Sequence, residues 1–221
     1  MNELPGLSAA ILLSAALATQ AQHVGARLRV YAFKPLTTAL TLLLAWRLTQ
    51  GAGACPIPGW CILAGLTFAL AGDIFLMLPS DRFLAGLACF LGTHLCYAAA
   101  FYTPPHGVAS LLALLPFAVF GAVMFLMLAP GAGALRVPVL VYAAAICTMA
   151  WQAAEHHLRA DAAGSGLALA GALLFVLSDS VLGYNRFRRS FRWAQALLLS
   201  SYFAGQWLIA LSLNGSSPPV P

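Results

Sequence analysis

The chain is cut into apolar runs of about twenty residues, each long enough to cross the ~30 Å hydrocarbon core of a bilayer as a helix rising ~1.5 Å per residue. Bounded by Pro, Gly or charge, the runs fall near 4–22, 33–50, 58–79, 83–103, 107–129, 136–155, 164–184 and 192–213. Their continuous Ala and Leu lack the alternation that a membrane β-barrel requires, and a helix satisfies its own backbone in lipid. The expected fold is therefore all-α, a polytopic membrane helix bundle of about eight transmembrane helices. It forms a single transmembrane domain over 1–213, with a Pro- and Ser-rich tail, 214–221, expected to be disordered. A chain that is 62% hydrophobic and 8% charged leaves no room for a soluble domain. The opening MNELPGL has no basic stretch of the kind that precedes a cleaved signal peptide, so the first run is read as the first span.

The few cations set the orientation. Arg27, Arg29, Lys34, Arg82, Arg136, Arg186, Arg188, Arg189 and Arg192 follow odd-numbered spans and make up nine of the eleven basic residues, leaving Arg47 and Arg159 for the other face. The positive-inside rule then puts the odd loops in the cytoplasm and both termini on the non-cytoplasmic side. It also accounts for the net charge of +5 without nucleic acid as a partner, since the basic residues carry no aromatic interleaving. Arg in place of Lys, with compact loops, suggests a bacterial inner (cytoplasmic) membrane.

Four of the six carboxylates, Glu3, Asp81, Glu155 and Asp161, fall at span ends or in loops, where solvation is expected to explain them. Asp73 and Asp179 do not. Six residues before Pro79 and seven before Arg186 respectively, they lie at matching depth, ~9–10 Å inside the basic face at helical rise. A carboxylate in mid-span costs ~2.5–3.5 kcal/mol on the lenient insertion scale, so it normally faces a cavity and has a function. Burial and mutual repulsion are expected to keep at least one of them protonated near neutral pH as a donor while the other stays a base, which would make an acid/base pair. The plainer alternative is a structural ion pair with Lys34.

Other polar groups also lie within or beside the spans. His94, in span four, shares a face with Phe90, Tyr97 and Phe101 at helical spacing. It is read as an orienting partner with Tyr97, or as a histidine bonded to a neighbouring carbonyl. Lys34, the lone lysine, precedes Pro35 in YAFKPLTTALT, a position expected to open span two, where Pro suits the first turn. It would snorkel to the interface, meet a lipid phosphate, or pair with an aspartate. Arg186, Arg188, Arg189 and Arg192 would set topology or bind an anionic headgroup. Tyr142 and Tyr202, at ~9 and ~15 Å from the same face by helical rise, would line the cavity or simply pack, while helix-to-helix hydrogen bonds suffice for Asn185 and Gln206. Neither the cysteines nor the lone intramembrane histidine has the spacing of a metal site, and no metal or organic cofactor is expected.

Spans three and seven share a Gly eight residues before the Asp, a small residue just before it and a Leu three after, GLTFALAGDIFL beside GALLFVLSDSVL. A four-plus-four duplication is one reading of this.

In order, Lys34-Pro35, Gly72-Asp73, Phe83-x-x-Gly86, His94-x-x-Tyr97 and Ser178-Asp179 resemble the lysoplasmalogenase family, also called YhhN-like proteins, over nearly the whole chain. The resemblance implies hydrolysis of the vinyl ether of a lysophospholipid substrate to a fatty aldehyde and glycerophosphoethanolamine or glycerophosphocholine. Such chemistry needs a buried acid to protonate the β-carbon and a carboxylate to stabilise the oxocarbenium ion and activate water. Asp73 and Asp179 would share these roles, with Lys34, His94, Tyr97, Tyr142 and Tyr202 binding or orienting. Which aspartate is the acid stays open. So do a proton-coupled transporter or lipid carrier using the same pair, and a scaffold in which both merely lock helices.

Overall fold

The computed structural model describes residues 4–51, 57–103, 107–159 and 164–215. Within them the chain forms eight α-helices: α1 (Leu4–His23), α2 (Arg27–Gly51), α3 (Ile57–Met77), α4 (Phe83–Ala100), α5 (Gly107–Ala132), α6 (Arg136–Arg159), α7 (Ser165–Phe187) and α8 (Ala194–Leu211). Short 3-10 turns span Gly133–Leu135 and Ser212–Gly215. No strand occurs among the described residues. Of the expected tail only residues 214 and 215 are described, in the second 3-10 turn, and the rest lies outside the described residues.

Seven helical stretches are long and apolar enough to cross a membrane, one of which, Ser110–Arg159, runs through both α5 and α6. The chain folds back within it. A Cβ added at Gly121 would meet Cys147 Sγ at 2.9 Å, so residues equidistant from the turn at 133–135 lie side by side. Gly133, at φ +53°, adopts a left-handed conformation in which a side chain would be strained.

Consecutive helices pair as hairpins: α1 with α2, α3 with α4, α5 with α6, α7 with α8. The hairpins close into a ring because α2 packs on α3 and α8, α4 on α6, α6 on α7 and α1 on α8, while α5 lies outside against α6 and α7. Small residues permit the closest approaches. A Cβ at Gly171 would come within 2.7 Å of the Gly205 carbonyl oxygen, and one at Gly205 within 2.8 Å of that of Gly171, so α7 and α8 touch backbone to backbone. On α3, Gly65 and Gly72 lie under the rings of Tyr97 and Phe90.

Rings from α4, α7 and α8 fill the middle of the bundle. Phe175 is fully buried and meets His94 edge-on at 4.8 Å, Tyr202 at 5.4 Å, and Phe90 and Tyr97 at 6.3 Å.

Two sequence expectations change. α2 begins at Arg27, so Pro35 lies inside the helix rather than in its first turn. An apolar run marks where lipid begins, whereas the helix continues into its basic flank. Glu155 is 1% exposed and pairs with Arg159 one turn along at 2.5 Å, so packing against neighbouring helices, not solvent, surrounds it.

Candidate active site

Asp73, on α3, is fully buried and surrounded by donors. Thr38 Oγ1 donates to its Oδ2 at 2.6 Å and Tyr202 Oη donates to the same oxygen at 2.9 Å. The ammonium of Lys34 lies 3.2 Å from Oδ1. Lys34 and Thr38 are one turn apart on α2, which places both over the carboxylate. These are the surroundings of an anion.

Asp179, on α7, has a different set of partners. Its Oδ2 receives a short hydrogen bond from Tyr142 Oη of α6 and lies 3.0 Å from His94 Nε2 of α4. His94 Nε2 is also 2.9 Å from Tyr142 Oη, closing a triangle of imidazole, phenol and carboxylate. The imidazole is fully buried and its Nδ1 has no hydrogen-bond partner among the described residues. A proton on Nε2 has two acceptors and one on Nδ1 would have none, so the tautomer protonated at Nε2 is the one these surroundings favour. Both bonds fall on Oδ2, leaving Asp179 Oδ1 without a hydrogen bond among the described residues.

Among the described residues no hydrogen bond or ion pair joins the two aspartates. The Phe175 ring stands between their partners, touching Tyr202 on one side and His94 on the other. The two carboxylates stand in unlike settings, Asp73 beside a fixed cation and Asp179 beside an imidazole.

Of the residues picked out by sequence, Lys34, His94, Tyr142 and Tyr202 touch an aspartate directly. Tyr97 does not: its Oη donates a short hydrogen bond to Gln206 Oε1, one layer behind. Lys34 is committed to Asp73, the third of its expected uses. Thr38 and Phe175 escaped the sequence reading. Thr38 carried a signal, since it follows Lys34 by four residues on the same helical face.

A cavity of about 740 Å³ opens at the end of the bundle that carries the α1–α2, α3–α4 and α7–α8 connections, and Lys34 lines its floor. A narrower apolar crevice of about 60 Å³, between α4, α5, α6 and α7, is lined by Asp179 and Tyr142. Phe83 and Leu182 line both spaces and form the wall between them.

The model of the YhhN family matches residues 29–213, the stretch that holds every one of these groups. The chain belongs to the YhhN family. It is 32% identical over 206 residues to the "uncharacterized membrane protein YhhN" of Escherichia coli O6:H1, covering 92% of this chain and 96% of that one. It is also 36% identical over 169 residues to human "lysoplasmalogenase TMEM86A", covering 72% of this chain and 67% of the relative. With human "lysoplasmalogenase TMEM86B" the identity is 34% over 158 residues, 71% of this chain and 63% of the relative. No solved structure matches the chain. YhhN-family membership, the apolar helices and these membrane-protein relatives make the chain an integral membrane protein.

Proposed function

We propose that this YhhN-family protein is a lysoplasmalogenase, hydrolysing the vinyl ether of lysoplasmalogens inside the membrane to a fatty aldehyde and a glycerophospho-ethanolamine or glycerophospho-choline. The observation that carries the reading is the pair of intramembrane carboxylates with unlike partners, Asp73 buried and furnished as an anion, Asp179 partly buried and joined to an imidazole. Relatives named lysoplasmalogenase support the reaction class.

Asp179, with His94 and Tyr142 on Oδ2, delivers a proton from Oδ1 to the β-carbon of the vinyl ether. The resulting oxocarbenium ion is stabilised by the Asp73 carboxylate, which also takes a proton from the water attacking the α-carbon. As the hemiacetal collapses its hydroxyl proton passes to the departing glycerol oxygen, giving aldehyde and free glycerol hydroxyl; the proton gained by Asp73 then returns to Asp179, so the cycle consumes one water. The division follows substrate polarity: the β-carbon lies on the alkyl side of the bond, as Asp179 lies on the apolar crevice, and Asp73 lies behind the polar cavity. Lys34 holds Asp73 in place, and Tyr202 and Thr38 orient it. No cofactor enters these steps. In this reading the eight helices are eight spans with both termini outside a bacterial inner membrane, and the site lies in the cytoplasmic half, under the basic face.

The test is aldehyde release by purified protein from a vinyl-ether lysolipid and from its saturated alkyl-ether analogue, for the parent chain and for Asp73→Asn and Asp179→Asn. Aldehyde from the vinyl ether alone, lost in both variants while they remain folded, is the expected result. Retained turnover in either variant would refute its assigned role, and no aldehyde from the folded parent chain would refute the hydrolase.

A further inference from the structure

Several cations beyond the carboxylate network face the larger cavity. Arg27 from the start of α2, Arg82 from the α3–α4 connection and Arg186 from the last turn of α7 all line it, with Lys34 beneath them. Asp81 is the one carboxylate on its lining, and Arg186 pairs with it at 2.8 Å in an exposed ion pair, with 42% and 68% of the two side chains accessible. The Arg186 guanidinium also lies 4.7 Å over the Phe83 ring, the residue that forms the wall to the apolar crevice. An exposed pair of this kind is worth little by itself, so Arg186 can exchange Asp81 for another anion at small cost. The charge of the space is therefore positive, three guanidinium groups against one acid, in reach of a dianionic or monoanionic oxyacid.

The crevice on the other side of the wall is the opposite in character. Gly121, Ala143 and Gly183 leave the room for it among apolar side chains, and Phe120, 41% exposed, lines it toward the outer flank of the bundle. Its width suits one aliphatic chain whose far end continues into the bilayer.

Resting on the hydrolase reading, we infer that the two spaces divide a single-chain phospholipid at its ether: Arg27, Arg82 and Arg186 bind the phosphodiester of the headgroup in the cavity, and the crevice takes the first carbons of the alkyl chain. The ether then crosses the Phe83–Leu182 wall, between Asp73 on the polar side and Asp179 on the apolar side. Guanidinium groups suit this task because each offers paired N–H donors to phosphate oxygens.

Binding of a non-hydrolysable alkyl-ether lysophosphoethanolamine tests this without turnover. Affinity for it is compared with that for the alkylglycerol lacking the phosphate, using purified protein in nanodiscs of neutral lipid. Arg82→Gln and Arg186→Gln should each lower affinity for the phosphate-bearing ligand by about tenfold, the size of one charge-assisted hydrogen bond, and narrow its preference over the alkylglycerol. Arg186→Lys should fall between. Arg47→Gln, at the far end of α2, should leave the ratio of the two affinities as it was. Ala143→Leu, which fills the crevice, should weaken both ligands alike. Inorganic phosphate should compete only at far higher concentration than the lysolipid; equal competition would mean a site for free phosphate and overturn the chain assignment. Unchanged ratios in both arginine variants would overturn the headgroup site. If the arginine variants behave as expected while the parent chain releases no aldehyde, the lipid site stands and the hydrolase reading falls.

Discussion

Lys34 Nζ lies 3.2 Å from Asp73 Oδ1 between helices that share no other charge at that level, and Lys34 is only 9% exposed. Removing one partner of a buried pair strands the other charge and costs about 3–5 kcal/mol, whereas removing both often costs much less. Lys34→Met should therefore destabilise the protein more than the double variant Lys34→Met/Asp73→Asn does. Thermal unfolding in detergent of the parent, both singles and the double checks this, and a double variant less stable than Lys34→Met would show that the pair is not the relevant unit.

Tyr142 and Tyr97 are both fully or nearly fully buried phenols with one short hydrogen bond each, but only Tyr142 bonds a carboxylate. Tyr142→Phe should lower the rate of aldehyde release about tenfold or more, because it removes a donor from the oxygen that positions Asp179. Tyr97→Phe should cost about 1 kcal/mol of stability, the worth of one buried hydrogen bond, with turnover within a few-fold of the parent. Side-by-side steady-state assays decide it, and a larger rate loss for Tyr97→Phe would move Gln206 into the working site.

Phe175 touches four rings and has no polar group of its own. Truncation to Ala should cost about 3–5 kcal/mol, the usual range for a buried phenylalanine that leaves a cavity. Because the ring also holds His94 and Tyr202 apart, Phe175→Leu should lower turnover while recovering much of the stability lost in Phe175→Ala. Stability and rate measured on the same preparations would separate the two effects.

Gly171 has no space for even a methyl group, since the added Cβ would meet backbone atoms of α8 that have no rotamer to give. Gly171→Ala should destabilise by about 1–3 kcal/mol through overpacking. Gly6, in α1 with nothing within 4 Å, should accept Ala with a change within about 1 kcal/mol. Equal melting temperatures for the two variants would contradict the close α7–α8 packing.

The parts of the fold that the sequence made legible are those governed by local rules. Apolar run length located each helix, and a charge inside such a run singled out Asp73, Asp179 and His94, because lipid tolerates few of them. Tyr202 was noticed for its depth only. Its bond to Asp73 spans 129 positions of sequence, and no periodicity encodes a meeting of that kind. The start of α2 was misplaced because Arg27 and Arg29 look like loop residues, although backbone hydrogen bonding does not require an apolar side chain. Glu155 looked solvated because it sits near the end of a run; only the packed neighbours show it covered. The Phe175 ring, in contact with both His94 and Tyr202, was invisible for a further reason: a phenylalanine in a membrane span carries no signal that distinguishes a hub from a lipid-facing ring.

Each carboxylate draws its partners from both halves of the chain. Asp73 takes Lys34 and Thr38 from α2 and Tyr202 from α8, and Asp179 takes Tyr142 from α6 and His94 from α4. Exchange α1–α4 for α5–α8 and one list of helices becomes the other, as does the packing of α3 on α4, of α2 on α3 and of α2 on α8. Neither four-helix segment therefore holds a complete carboxylate site. Expressed apart, the first would leave Asp73 without Tyr202 and the second would leave Asp179 without His94. Were the halves once separate copies, assembly into a pair would have come before chemistry, and joining them into one chain would have freed the two acids to become different.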